Sequence, residues 1–146
     1  MGLGKSLSFI TTIVLNTPKE KLKDKGKTLI ICPAHIANQW IQEFKKYFDT
    51  ELNGVLYDPD NQKISELKKY DFVIASYTQL SESPKKLTSI EWYRVCLDEA
   101  QELGSGFTTI ARNALSLKRD ISWCVTGSFF FLFLFFFFFF LFLLLS

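Results

Sequence analysis

The sequence has little charge of one sign. Seventeen lysines and arginines face fifteen aspartates and glutamates, a net charge of +2, too small to argue for a polyanionic partner by itself. The one basic run, Lys19, Lys21, Lys23, Lys25 and Lys27, is diluted by Glu20 and Asp24. It reads as a solvated loop between a helix and a strand rather than a binding patch. Cysteine is scarce too. Cys32, Cys96 and Cys124 each sit in a short apolar run, and none has metal-ligand spacing to another. They read as buried free thiols in a reducing compartment. No secretory leader is visible, because a glycine-rich GKS turn follows Met1 almost at once.

What is present falls into two unequal parts. Residues 129–145 contain only Phe and Leu and hold eleven of the sixteen phenylalanines. Without that block the composition is that of an average soluble α/β protein. About 130 residues are enough for one domain with a real core.

Along residues 1–128, helix-like and strand-like segments alternate. Leu7, Ile10, Ile13 and Val14 predict one apolar face of a helix over 5–16. Pro18 and the lysine loop end it. TLIIC at 28–32 reads as a buried parallel strand stopped by Pro33. Ile36, Trp40, Ile41, Phe44 and Phe48 predict a helix over 35–48, with Trp40 on its core face. A weak strand is expected at 54–57 and a short polar helix at 61–69. FVIA at 72–75 and YRVCL at 93–97 are again buried-strand runs. Phe107, Ile110, Ala111, Ala114 and Leu115 predict a helix over 105–117, and ISWCVT at 121–126 a last strand. Strands separated by helices imply βαβ crossovers and a parallel sheet with helices on both faces. In such sheets ligands sit beyond the carboxyl ends of the strands.

Two motifs fall in that position. In MGLGKS, Gly2 and Gly4 permit a tight turn whose backbone N–H groups can face phosphate oxygens. Lys5 would set a cation on the β- and γ-phosphates, the Ser6 hydroxyl would ligate Mg²⁺, and the following helix adds its N-terminal dipole. The strand and first glycine of a full phosphate-binding loop are missing, and an ordinary glycine turn before a helix explains a bare GKS equally. In LDEAQ, Leu97 to Gln101, two adjacent carboxylates follow a buried strand. Asp98 would hold Mg²⁺ through water, and Glu99 would orient and deprotonate an attacking water; a helix N-cap is the plainer explanation of the pair alone.

Taken in order, five segments resemble the Swi/Snf family of DNA-translocating ATPases within helicase superfamily 2: MGLGKS, TLIICPAHIANQWIQEF at 28–44, DFVIASYTQL at 71–80, WYRVCLDEAQ at 92–101 and SWCVTGS at 122–128. The resemblance covers essentially all of residues 1–128. It implies the first RecA-like P-loop lobe, with ATP and Mg²⁺ as cofactors and Lys5, Asp98 and Glu99 as catalytic residues. It further implies contacts to the phosphate backbone of double-stranded DNA from Pro33, Ala34 and His35 and from Ser76 and Tyr77, although His35 reads equally as a helix-start residue. Gln101, Thr126 and Gly127 would couple nucleotide state to DNA grip. Gln101, where His is commoner, resembles the RING-finger ubiquitin-ligase branch. Chromatin or a repair substrate, and the nucleus, are the expected setting.

The chain departs from the family pattern at both ends. It lacks the strand that would carry the P-loop, motif III stops at Ser128, and the second lobe with its arginine finger does not follow. The expected fold is therefore α/β, a RecA-like sheet flanked by helices and truncated at both ends, with lobe 1 over 1–128 and a low-complexity tail over 129–146. Seventeen apolar residues just reach the length of a membrane span, but the tail lacks an aromatic belt and basic flank. Phe, Leu and Ser are what pyrimidine-rich codons encode, so a translated polypyrimidine tract gives the same tail. Three functions follow: a fragment of an ATP-dependent DNA translocase, a catalytically inactive truncated product, or a tail-anchored membrane protein.

Overall fold

The computed structural model describes residues 5–16, 26–48, 52–104 and 108–126. Five strands, β1 (Gly26–Cys32), β2 (Gly54–Leu56), β3 (Phe72–Ser76), β4 (Trp92–Asp98) and β5 (Arg119–Val125), form one sheet in the order β2-β3-β1-β4-β5. Every neighbouring pair is parallel. The register aligns the carboxyl ends: Cys32 pairs with Ser76, Ile31 with Leu97, and Asp98 with Val125.

Alternation along the strands divides the core into two layers. One face of the sheet, with Ile30, Cys32, Ile74 and Cys96, is covered by α1 (Lys5–Leu15) and α2 (Ala37–Phe48) through Phe9, Ile10, Ile13, Trp40 and Phe44. The other face, with Leu29, Ile31, Val73, Ala75, Val95 and Leu97, is covered by the remaining helices. These are α3 (Ile64–Leu67), α4 (Tyr77–Glu82), α5 (Pro84–Ser89) and α6 (Thr109–Ser116). Continuous apolar runs such as FVIAS are buried at all five positions because both faces are covered.

Helix α1 runs antiparallel to the strands. At its far end the Asn16 carbonyl accepts from Arg94 Nη2 near the start of β4 (2.8 Å). Nearer its beginning the Phe9 ring meets the rings of Trp40 and Trp123 at 5.4 and 5.3 Å. The first turn of α1 is thereby directed to the carboxyl ends of the strands.

Several expectations are refined. The buried face of α1 is Phe9, Ile10 and Ile13, while Leu7 is 42% exposed; at 100° per residue Leu7 lies more than a quarter-turn from the centre of that face. The helix expected from 35 begins as a 3-10 turn, Ala34–Ile36, before α2 proper. The helix expected over 61–69 contracts to the single turn of α3. Helices α4 and α5 were not expected at all; they occupy the crossover between β3 and β4. Phe107, most of the lysine run and the Phe/Leu segment lie outside the described residues. Among the described residues no helix is long and apolar enough to cross a membrane.

Candidate functional site at the carboxyl end of β4

Asp98 is the last residue of β4, and its carboxylate is held from two sides. Trp40 Nε1–H, in the first turn of α2, donates to Oδ2 at 2.8 Å, and the Glu99 backbone N–H donates to Oδ1 at 3.0 Å. The Tyr77 hydroxyl, at the start of α4, donates to the Asp98 backbone carbonyl at 2.9 Å. Elements from both faces of the sheet therefore fix one residue, α2 by its side chain and α4 by its main chain.

Glu99 stands in the left-handed region at φ 50°, the one non-glycine residue with positive φ among the described residues. A side chain there costs of the order of 1 kcal/mol. The turn redirects the chain into the 3-10 segment Ala100–Leu103, whose buried Ala100 and Leu103 pin it to the core. Gly104 at φ 63° ends it, as a residue without Cβ can do freely. Glu99 is half-buried, and its carboxylate accepts from Gln101 Nε2. Gln101 Oε1 in turn accepts from the Thr126 hydroxyl at 2.8 Å. A side-chain line thus runs Glu99–Gln101–Thr126, from the end of β4 to the end of β5.

The surroundings are apolar enough to shift neighbouring groups. Burial, reinforced by the Asp98 charge, pushes the Cys32 thiol up to about 12. Burial also raises the Cys96 thiol well above its ordinary value. It raises the Tyr77 hydroxyl too, with Asp98 as the next cause. All three are protonated at neutral pH. Tyr77 is therefore a hydrogen-bond donor there and the thiols are inert.

The other residues singled out in the sequence are placed as follows. Lys5 and Ser6 are the first two residues of α1; Gly2, Gly4 and Gly127 lie outside the described residues. Pro33 is buried, whereas Ala34 and His35 are exposed in the 3-10 turn preceding α2. Ser76 and Tyr77 are 6% and 4% exposed. The Ser76 hydroxyl accepts from the Gln79 backbone N–H as the cap of α4, and Gln79 Oε1 accepts from the Ser76 N–H, a capping box. Both side chains support the site from within. Sequence periodicity places Trp40 in the core, and it is 4% exposed. Its bond to Asp98 was missed, since apolar spacing says nothing about where an indole N–H points. Among the described residues no three His, Cys, Asp or Glu side chains cluster as metal ligands. A magnesium ion that keeps several waters and is bound through one or two carboxylates plus phosphates needs no such cluster.

A five-stranded all-parallel sheet flanked by helices on both faces, with adjacent acidic residues at a central strand's carboxyl end, has the architecture of a RecA-like lobe. The chain belongs to the family of the SNF2-related domain, whose pattern matches residues 1–128. It is 31% identical over 116 residues to DNA repair protein RAD5B of Arabidopsis thaliana, covering 73% of this chain and 9% of that protein. It is 33% identical over 110 residues to the helicase-like transcription factor of Homo sapiens, covering 69% of this chain and 11% of the relative. The Sulfolobus solfataricus SWI2/SNF2 ATPase core in complex with dsDNA superimposes with a TM-score of 0.75 at 28% identity, covering 88% of this chain and 26% of that core. The same core domain without DNA superimposes at 0.70 and 29% identity, covering 88% and 25%. The chain thus spans about a tenth of these two relatives and a quarter of the solved cores.

Proposed function

We propose that residues 1–128 are the first ATP-binding lobe of a DNA-dependent ATPase that moves along duplex DNA, acting on chromatin or in repair within the nucleus. The observation that carries this reading is the Asp98–Glu99 pair, fixed at the carboxyl end of β4 on the edge to which the first turn of α1 is directed. That edge is where a ligand of an open α/β sheet is expected. Support for DNA as the partner comes from the similarity to a core solved with dsDNA.

When bound, ATP with Mg²⁺ supplies the phosphoanhydride and the cation that neutralises it. The residues fit that pair: an oriented carboxylate at Asp98, a hydroxyl at Ser6 and a cation at Lys5, both on the opening turn of a helix whose dipole favours phosphate. In the proposed division of work, Gly2 and Gly4 leave backbone N–H groups free to face phosphate, and Lys5 sets its charge on the phosphates. Ser6 and Asp98 hold the cation. Glu99 orients the attacking water and takes its proton. Gln101 passes a shift at Glu99 to Thr126 and on to Gly127. Ala34 and His35 offer the exposed contact to the DNA backbone, with Pro33, Ser76 and Tyr77 shaping the surface behind them. A second RecA-like lobe would complete the ATP site. The RING-finger branch rests on Gln101 alone, and residues 129–146 are assigned no part in the lobe.

The test is equilibrium binding of a fluorescent ATP analogue to the full chain in mild detergent, with Mg²⁺. Saturable binding that weakens at least about tenfold in both Lys5→Ala and Asp98→Asn supports the reading, a loss in line with removing one charge-assisted contact. Binding indifferent to both substitutions overturns it.

A further inference from the structure

In the proposed site Asp98 holds the cation, and Trp40 is buried in the core beside it. The geometry points to more. We propose that the Trp40 indole N–H is a positioning group for the magnesium-holding carboxylate, and that through it the exposed turn before α2 is mechanically tied to the metal site. This rests on the assignment of Asp98 to Mg²⁺.

Three observations carry it. First, Trp40 Nε1–H donates to Asp98 Oδ2 at 2.8 Å across 58 residues of sequence, inside a layer of otherwise apolar side chains. A hydrogen bond to an ionised acceptor is roughly twice as strong as a neutral one, and in a partly buried site it has little competition from water. Second, the two oxygens of Asp98 are held by different elements, Oδ1 by the Glu99 N–H and Oδ2 by Trp40. Oδ1 is held by the local turn and Oδ2 by Trp40, so the indole takes part in setting the rotation of the carboxylate about its own axis. Third, Trp40 itself cannot easily move alone. It is 4% exposed, packed edge-on against Phe9 of α1 at 5.4 Å and tilted against Phe44 at 6.2 Å.

The placement of Trp40 gives this arrangement its consequence. Trp40 lies in the first turn of α2, and that helix continues directly from the 3-10 turn of exposed Ala34 and His35. A load on that turn displaces the start of α2, and the indole carries the displacement to Asp98. Phe9 joins the same indole to α1, one turn beyond Lys5. One aromatic ring therefore packs on the helix that opens with Lys5 and Ser6, bonds to the carboxylate of β4, and belongs to the helix that continues from the segment proposed to meet DNA. The line Glu99–Gln101–Thr126 runs from the end of β4 to the end of β5. Trp40 is a second link that does not use those residues.

The experiment titrates Mg²⁺ against the full chain in mild detergent holding a fluorescent ADP, comparing the wild type with Trp40→Phe and Phe44→Leu. Trp40→Phe keeps an aromatic ring and deletes the donor. Phe44→Leu disturbs the same packing and leaves the donor in place. The Mg²⁺ concentration at half-effect is expected to rise about tenfold in Trp40→Phe, the lower end of what loss of a group orienting a metal ligand costs. ADP affinity in EDTA should stay at the wild-type value in Trp40→Phe, and Phe44→Leu should keep the wild-type Mg²⁺ midpoint. An unchanged midpoint in Trp40→Phe, or an equal shift in Phe44→Leu, overturns the proposal while leaving the nucleotide site intact. If the wild type itself binds ADP no better with Mg²⁺ than in EDTA, the assignment of Asp98 to the metal falls, and this proposal with it.

Discussion

Glu99 combines two demands that conflict. Its side chain must sit beside Asp98, and its backbone must turn the chain sharply from β4 into the 3-10 segment, which forces φ to 50°. The buried Ala100 and Leu103 hold that turn in place, as strained residues at functional sites require. Glu99→Gly should therefore raise the unfolding free energy relative to Glu99→Ala by about 1 kcal/mol, since only glycine occupies this region without a Cβ penalty. Chemical denaturation of the two variants checks this; equal stabilities would mean the turn is not strained. The same strip of residues predicts a pH dependence. In the fold, Cys32 is raised from an ordinary value near 9 to about 12, and Cys96 and Tyr77 are raised as well. A raised thiol holds its proton in the fold and releases it on unfolding. Its contribution is full below pH about 9 and declines as pH rises from there towards 12. Thermal melts should be flat approaching pH 8.5 and fall above 9, with a shallower fall in Cys32→Ala. A melting temperature that rises over that range would contradict the assignment.

At the scale of elements, what the sequence revealed depended on length and burial. The three central strands were legible because a strand buried on both faces is a continuous apolar run: TLIIC, FVIA and YRVCL stand out from their polar surroundings. The helices α1, α2 and α6 were legible from their period. Helices α4 and α5 were not. Each is six residues long, and α4 owes its start to the Ser76–Gln79 capping box rather than to an apolar stripe. Ser76 and Tyr77, which the family resemblance marks as DNA contacts, are buried at that strand-to-helix turn. Arg94 was hidden in the run YRVCL. It is fully buried, with its guanidinium 4.5 Å from the Trp123 ring and one nitrogen on the Asn16 carbonyl, an arrangement no spacing rule encodes. Asp98 and Glu99 were legible from two adjacent carboxylates after a buried run; the bond to Asp98 from Trp40, 58 residues away in sequence, was not. The short edge strand β2 illustrates a further local constraint. Phe72 of β3 stacks on Phe44 at 3.7 Å and lies across Gly54, where an added Cβ would fall 1.9 Å from the ring. Gly54→Ala should cost about 2 kcal/mol by overpacking. In a Phe72→Leu background the same change should cost much less, the coupling expected of residues in contact. Equal costs in the two backgrounds would show that the ring is not what Gly54 accommodates.

At the scale of the whole molecule, both layers of the core are filled by helices and strands within residues 5–126. The seventeen Phe and Leu residues that follow Ser128 are outside the described residues, and their apolar area exceeds the few hundred Å² that soluble monomers expose. A version ending at Ser128 is expected to stay in the soluble fraction while the full chain requires detergent or membrane. Equal solubility, or stable insertion of the full chain with one topology, would favour a working tail over a translated non-coding tract. The central claim is that Mg²⁺ and nucleotide gather at the carboxyl edge of β4. Mn²⁺ in place of Mg²⁺, with ADP bound, broadens the proton signals of groups close to it. Trp40 and Trp92 provide two indole N–H reporters: Trp40 bonds to Asp98, and Trp92, at the opposite end of β4, donates to the Leu87 carbonyl. Six residue steps along the strand span the two ends, roughly 20 Å at the usual rise. The account predicts that Mn²⁺ with ADP erases the Trp40 indole signal and leaves the Trp92 signal sharp. Equal broadening of both, or loss of Trp92 alone, would contradict it.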